Sequence, residues 1–345
     1  MTDTDMVTEK HISSSSGRKP EEENGIKWPQ WMSAGDRRLL QARDVTPNVV
    51  VAADGSGHYL TVGEAVAAAP AGSGSRYIIR IKAGVYRENV EVPSGKTNIM
   101  FVGDGRTTTI ITGNRNVADG CTTFKSATVA AVGDGFMARD ITFQNTAGPS
   151  KYQAVALHTL YVHTLRQFYV QSIIIGSVDF IFGNEAAVFQ DCDIHARLPN
   201  PSQKNMVTAQ GREDPYQNTS IVIQNCRIGA TQDLEAAKDS FQSYLGRPWL
   251  QYSRTVIMRT DKSDIIDPAG WFEWDGDFAL DTLFYREHQN TGAGTNTANR
   301  GYKVMTSASE ALPFTAENFI DGSNWLPSTG FPYLVHKFMA QYASI

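Results

Sequence analysis

The 345-residue chain has only three cysteines, Cys121, Cys192 and Cys226, which excludes a disulfide scaffold. None of them has metal-ligand spacing, so no metal site is expected. There is no run of Lys or Arg to form a phosphate footprint, and the net charge of -5 also argues against nucleic-acid binding. Apolar runs are too short to span a bilayer, so no membrane partner is expected. The start, Met1-Thr2-Asp3-Thr4-Asp5, lacks the basic-then-apolar layout of a signal peptide. What the chain does have is 29 glycines among many Thr, Val and Ile residues, a composition of strands and turns. Its length would hold two average domains, but repetitive β architectures often form one, so one folded domain plus a tail is expected.

The tail is residues 1–40. Its first thirty positions are polar, with Ser13 to Ser16 in a row and Glu21 to Glu23 close behind, and they cannot bury enough surface to order themselves. They read as a disordered linker. A strand follows at Asn48 to Ala52 and a turn at Asp54 to Gly57. Thr61 and Glu64 then form a capping box opening a short helix that runs through Ala69 and stops at Pro70. One such helix suits the cap of a solenoid.

From Arg76 onward short apolar strands alternate with Gly or Asn turns. The segments beginning at Phe136, Gln167, Ala187 and Ile221 share one pattern, and their starts lie 31, 20 and 34 residues apart. Variable loops inserted into a coil of roughly twenty residues give such spacings, the signature of a parallel β-helix. Stacked coils sit about 4.8 Å apart. Cys192 and Cys226, at the same place in consecutive coils, would nearly touch, either as a disulfide or as two core thiols. Residues 315–320 predict a short terminal helix over the far end. Asn218-Thr219-Ser220 is the only N-glycosylation sequon.

One carboxylate stands out. Asp179 lies within Ile174-Ile175-Gly176-Ser177-Val178-Asp179-Phe180-Ile181-Phe182-Gly183-Asn184, an otherwise apolar run where a charge must be paired, hydrogen-bonded or employed. Tyr244-Leu245-Gly246-Arg247-Pro248-Trp249 supplies a cation beside a large aromatic, and Gln153-Ala154-Val155-Ala156-Leu157 puts an amide on an apolar strand. With Gly84-Val85-Tyr86-Arg87-Glu88 upstream, the sequence resembles the plant pectin methylesterases from about Val49 to Trp325. The resemblance implies an all-β, right-handed parallel β-helix with short capping helices, spanning 41–345. It implies hydrolysis of methyl esters of homogalacturonan with no cofactor. Asp179 would be the nucleophile, Arg247 its orienting cation and Gln153 an oxyanion donor. Tyr161, Phe182 and Trp249 would line the sugar groove, and Thr123 would touch substrate.

The same resemblance makes Arg37-Arg38-Leu39-Leu40 a processing site at the end of a pro-region remnant. It implies a monomer secreted to the plant cell wall, with pectin and a proteinaceous inhibitor as partners, in a chain that begins inside the linker. One departure falls at the site. In the family about one further coil follows the Gln-Ala-Val-Ala-Leu strand and ends in the Gln-Asp that supplies an oxyanion donor and the acid/base. Here only His158 separates Leu157 from Thr159. His158 takes the slot of that Asp and is the candidate replacement, since imidazole titrates near working pH. A lost full coil lets its neighbours restack one turn shorter in register. The alternative function is a non-catalytic pectin- or inhibitor-binding β-helix.

Overall fold

In the computed structural model, the described residues are 22–23, 26–27, 46–115, 120, 122–147, 159–163, 165–298 and 302–334. The chain divides into two units, Met1–Arg43 and Asp44–Ile345. In the first, Glu22–Glu23 pairs antiparallel with Ile26–Lys27. The second is a right-handed parallel β-helix whose described strands form three parallel sheets of nine, seven and six strands.

The four segments aligned by their shared sequence pattern are register neighbours. Phe136 pairs with Gln167, Gln167 with Ala187 and Ala187 with Ile221, all in the nine-stranded sheet. At the end of each of these strands one residue turns the chain into the seven-stranded sheet with a left-handed backbone: Asp140 at φ 58°, Gln171 at 50°, Asp191 at 54° and Asn225 at 54°. Asn and Asp tolerate that conformation best, because their short polar side chains bond locally. Inside the coils, aromatic rings pack edge-on, tilted or stacked from one turn to the next. Phe101 meets Phe136 at 5.0 Å, Phe136 meets Tyr169 at 5.7 Å and Tyr169 meets Phe189 at 4.6 Å between centroids. Each such pair adds about 0.5–1.5 kcal/mol beyond its burial.

Cys192 and Cys226 do stack in adjacent coils, and both are free thiols. The Cys192 N–H points at Cys226 Sγ (3.4 Å), while the two S–H groups donate to the carbonyls of Gln190 and Gln224 at 3.3 and 3.2 Å. Cys121 lies outside the described residues.

At one end, helix Val62–Ala68 carries the expected capping box between Thr61 and Glu64, and its first N–H groups also donate to Glu88 at 2.8 Å. The C-terminal segment departs from expectation. Its helix Ala316–Phe319 forms, but Phe314, Phe319, Ile320, Leu326 and Phe331 lie along the outer face of the nine-stranded sheet rather than over the end of the coil. That face carries Met100, Met137, Phe168, Val188, Val222 and Val256, an apolar stripe that must be covered from one coil to the next.

Among the described residues, the ladders on either side of residues 148–158 are continuous. Strand Thr142–Asn145 and strand Leu160–Val162 belong to the same coil. Thr142 pairs with Ile110 on one side and Ile173 on the other, and Leu160 pairs with Val129 and Ile181. Parallel ladders repeat identically from coil to coil, so removing a whole coil preserves the inward and outward facing of every residue.

Candidate active site

The six-stranded sheet carries the site on its outer face. Its strands alternate by two: Leu160, Val162 and Ile181 face the core, while Tyr161 and Phe182 face outward in register with each other and with Ala130. Asp179 sits at the corner just before strand Ile181–Gly183, with a left-handed φ of 51°. It is 2% exposed. Gly176, three residues earlier, leaves the room this corner needs, since a Cβ there would stand 2.3 Å from that of Phe180.

Arg247 follows strand Ser243–Gly246, fixed by its N–H donating to Thr208 O at 3.1 Å. Its Nε donates to both Asp179 carboxylate oxygens, at 2.9 and 3.2 Å, and its Nη2 to Oδ2 at 2.6 Å. The guanidinium lies 4.4 Å from the ring centroid of Trp274. Burial pushes the Asp179 carboxyl above the ordinary aspartate range, and the Arg247 hydrogen bonds and charge pull it back. The result is a desolvated, oriented carboxylate with one cationic partner, the equipment of a nucleophile.

Aromatic rings continue from it across the sheet. Phe182 meets Tyr161 at 4.9 Å and Trp249 at 6.0 Å, and Phe124 meets Tyr161 edge-on at 5.2 Å. Trp249 rests on Gly211, where a Cβ would come within 2.6 Å of the indole. Burial and the nearby Glu185 push the Tyr161 phenol up to about 12. His163 stacks on Tyr161 at 5.1 Å, and burial lowers its pKa.

Of the residues singled out by sequence, Asp179, Arg247, Tyr161, Phe182 and Trp249 thus share one face. Gln153, His158 and the Thr123 side chain lie outside the described residues; Thr123 itself opens the four-residue helix Thr123–Ser126. Sequence reasoning did not assign Trp274 and Phe124 to the site. The pair Trp271 and Trp274 gave a signal, but only packing separates Trp271, stacked in the core on Tyr285 at 4.3 Å, from Trp274 on the groove. Among the described residues no three His, Cys, Asp or Glu side chains converge as metal ligands.

A family model described as Pectinesterase matches residues 48–159 and 158–323, so its two segments meet at the His158 junction. The chain is 64% identical to Pectinesterase 3 of Citrus sinensis over 357 residues, covering 96% of this chain and 61% of that protein. It is 63% identical to a Pectinesterase of Daucus carota over 315 residues, covering 85% of this chain and 99% of that protein. Since 85% of 345 residues is about 293, about 22 of those 315 aligned positions have no residue here. Among solved structures, a pectin methylesterase from carrot superposes with a TM-score of 0.76 at 62% identity, covering 85% of this chain and 98% of that one. A pectin methylesterase from Aspergillus niger gives 0.64 at 26% identity, covering 82% and 98%. The chain thus spans about 61% of the length of the first curated relatives it matches.

Proposed function

The chain belongs to the pectinesterase family, and from that premise we propose that it hydrolyses methyl esters of homogalacturonan to pectate and methanol. The observation that carries this reading is the buried Asp179–Arg247 pair beside an aromatic groove. Asp179 attacks the ester carbonyl carbon, the C–OCH₃ bond breaks, and an acyl anhydride to the enzyme forms. Water then cleaves that anhydride and restores the carboxylate. Arg247 keeps Asp179 ionised and aimed, Gln153 donates to the oxyanion, and Tyr161, Phe182, Trp249 and Thr123 hold the sugar chain. Methoxide leaves only with a proton. His158 is our candidate for that proton, because it is bonded to Thr159, whose N–H donates to the carbonyl of Phe180, the residue next to Asp179. Without general acid help the rate should fall about 10²- to 10⁴-fold.

Secretion to the plant cell wall, a processing step at Arg37-Arg38-Leu39-Leu40 and a monomeric state belong to the same proposal. An inhibitor partner joins them, supported by relatives such as the Pectinesterase/pectinesterase inhibitor U1 of Solanum lycopersicum. The junction at 158–159 favours one rival, a pectin- or inhibitor-binding β-helix without turnover.

Methanol release from highly methylated pectin by the full chain, beside its Asp179→Asn and His158→Ala variants, separates these readings. Activity lost in the Asn variant supports the esterase, and a further drop in the His158 variant supports its proton role. Pectin binding without methanol in all three sinks the esterase reading in favour of the rival.

A further inference from the structure

The sequon Asn218-Thr219-Ser220, which the esterase reading leaves unused, leads into strand Ser220–Gln224. A tight turn around Pro215 precedes it: Gln217 N–H donates to Asp214 O at 3.1 Å and Tyr216 N–H to Asp214 Oδ1 at 2.9 Å. Beyond the turn the side chains alternate. Gln217 Oε1 accepts from Asn184 Nδ2 at 3.0 Å, and Thr219 Oγ1 donates to Asn184 Oδ1 at 2.6 Å. Gln217 and Thr219 thus face the coil together, while Tyr216 and Asn218, one step out of phase, both stand exposed. Arg254 fixes this edge, donating from Nε to Thr219 O at 2.6 Å and from Nη2 to Asn218 Oδ1 at 3.0 Å. The Asn218 amide is therefore held by its oxygen, and among the described residues nothing accepts from its Nδ2. Tyr216 is 93% exposed, against 57% for Leu165, the next most exposed large apolar side chain among the described residues.

We infer that Asn218 is an N-glycosylation acceptor whose first sugar packs on the Tyr216 ring. Asn218 Nδ2 bonds to C1 of an oligosaccharide carried on a lipid diphosphate. The C1–O bond to phosphate breaks, the diphosphate leaves with the lipid, and the amide gives up one proton. The acceptor pattern needs a hydroxyl two residues on, here that of Ser220. In the folded protein Ser220 is fully buried and its hydroxyl donates to Arg254 O at 3.0 Å. Transfer therefore precedes the closing of this coil, and folding then seals the sequon with the sugar outside. A pyranose has an apolar C–H face, and a tyrosine ring two residues before its attachment point, on the same side, offers that face a surface. The contact gives a use to a ring that the protein itself leaves bare. The inference rests on the secretion reading, but not on turnover.

The full chain behind a cleavable secretory leader, secreted by plant suspension cells, tests it beside its Tyr216→Ala and Tyr216→Phe variants. Peptide mass spectrometry should find Asn218 occupied in the wild type and converted to Asp when an amidase releases the glycan. That release should raise the unfolding equilibrium constant in urea about fivefold in the wild type and Tyr216→Phe, and less than about twofold in Tyr216→Ala. The conversion to Asp is common to all three, so their comparison isolates the ring. An unoccupied Asn218 in the secreted wild type overturns the site, and equal effects of release in wild type and Tyr216→Ala overturn the packing. Fractionation of plant tissue with an antibody to the chain reports secretion separately. A cytosolic protein there, beside an occupied Asn218 in the leader-driven chain, sinks the secretion reading and leaves the acceptor. A wall protein beside an unoccupied Asn218 sinks only the site.

Discussion

Replacing Arg247 by Met removes the guanidinium while leaving a flexible stem over Trp274. Asp179, 2% exposed in the wild type, then loses all three of its contacts with the Arg247 nitrogens. Breaking a buried pair from one side costs about 3–5 kcal/mol. The lost contact with Trp274 adds about 0.5–2 kcal/mol. The carboxyl has one escape, which is to protonate. Its pKa already stands above the ordinary aspartate range through burial, and both opposing effects come from Arg247, so the variant pushes it further up. A carboxyl raised in the folded state contributes stability that is complete below the unfolded pKa near 4 and is lost as pH rises, at about 1.4 kcal/mol per unit.

Urea unfolding of wild type and Arg247→Met at pH 4, 5.5 and 7 should therefore show a deficit of about 3 kcal/mol or more at pH 7. At pH 4 it should shrink toward the aromatic contact alone. Adding Asp179→Asn to the variant should recover part of the loss, since the two residues form one unit. A deficit that is the same at every pH, or under about 1 kcal/mol at pH 7, would refute the idea that Arg247 is there to hold a buried charge.

Glu185 makes the complementary case: it is fully buried, and among the described residues no other residue donates a hydrogen bond to its carboxyl oxygens. Burial pushes its pKa well above the ordinary range, so its contribution also disappears as pH rises from about 4.5. Glu185→Ala should be the more stable partner at pH 8 relative to pH 4, by up to about 1.4 kcal/mol per pH unit; identical pH slopes in chemical unfolding would count against a buried acid. Cys192 and Cys226, buried and with the Cys226 thiol raised well above its usual pKa, should resist alkylation in the folded protein and react only on unfolding. Mass spectrometry after brief alkylation reads this, and rapid labelling of either residue would contradict it.

The coil repeat was legible because a parallel β-helix stacks like on like. Phe136, Gln167, Ala187 and Ile221 carry one inward–outward pattern, and register pairing requires nothing else. The capping box at Thr61 was equally local. The terminal helix was placed correctly in sequence and not in space. The stripe it covers is built from Met100, Met137, Phe168, Val188 and Val256, which are adjacent only after the coils stack. Trp271 and Trp274, three residues apart, face opposite sides, and nothing in the spacing separates core ring from groove ring.

The sequence by itself determined the family, the solenoid and the identity of the one acid that an apolar strand corner had to account for. Each of these depends on residue order along a short stretch. The tertiary structure decided how Arg247, the cation that the resemblance names, grips that acid through two nitrogens, and that two cysteines stack as thiols. Those contacts join residues 34 to 68 positions apart, from Cys192 to Cys226 and from Asp179 to Arg247. Only the pitch of stacked coils brings such positions together, and that pitch is set by backbone hydrogen bonding between turns rather than by the side chains it juxtaposes.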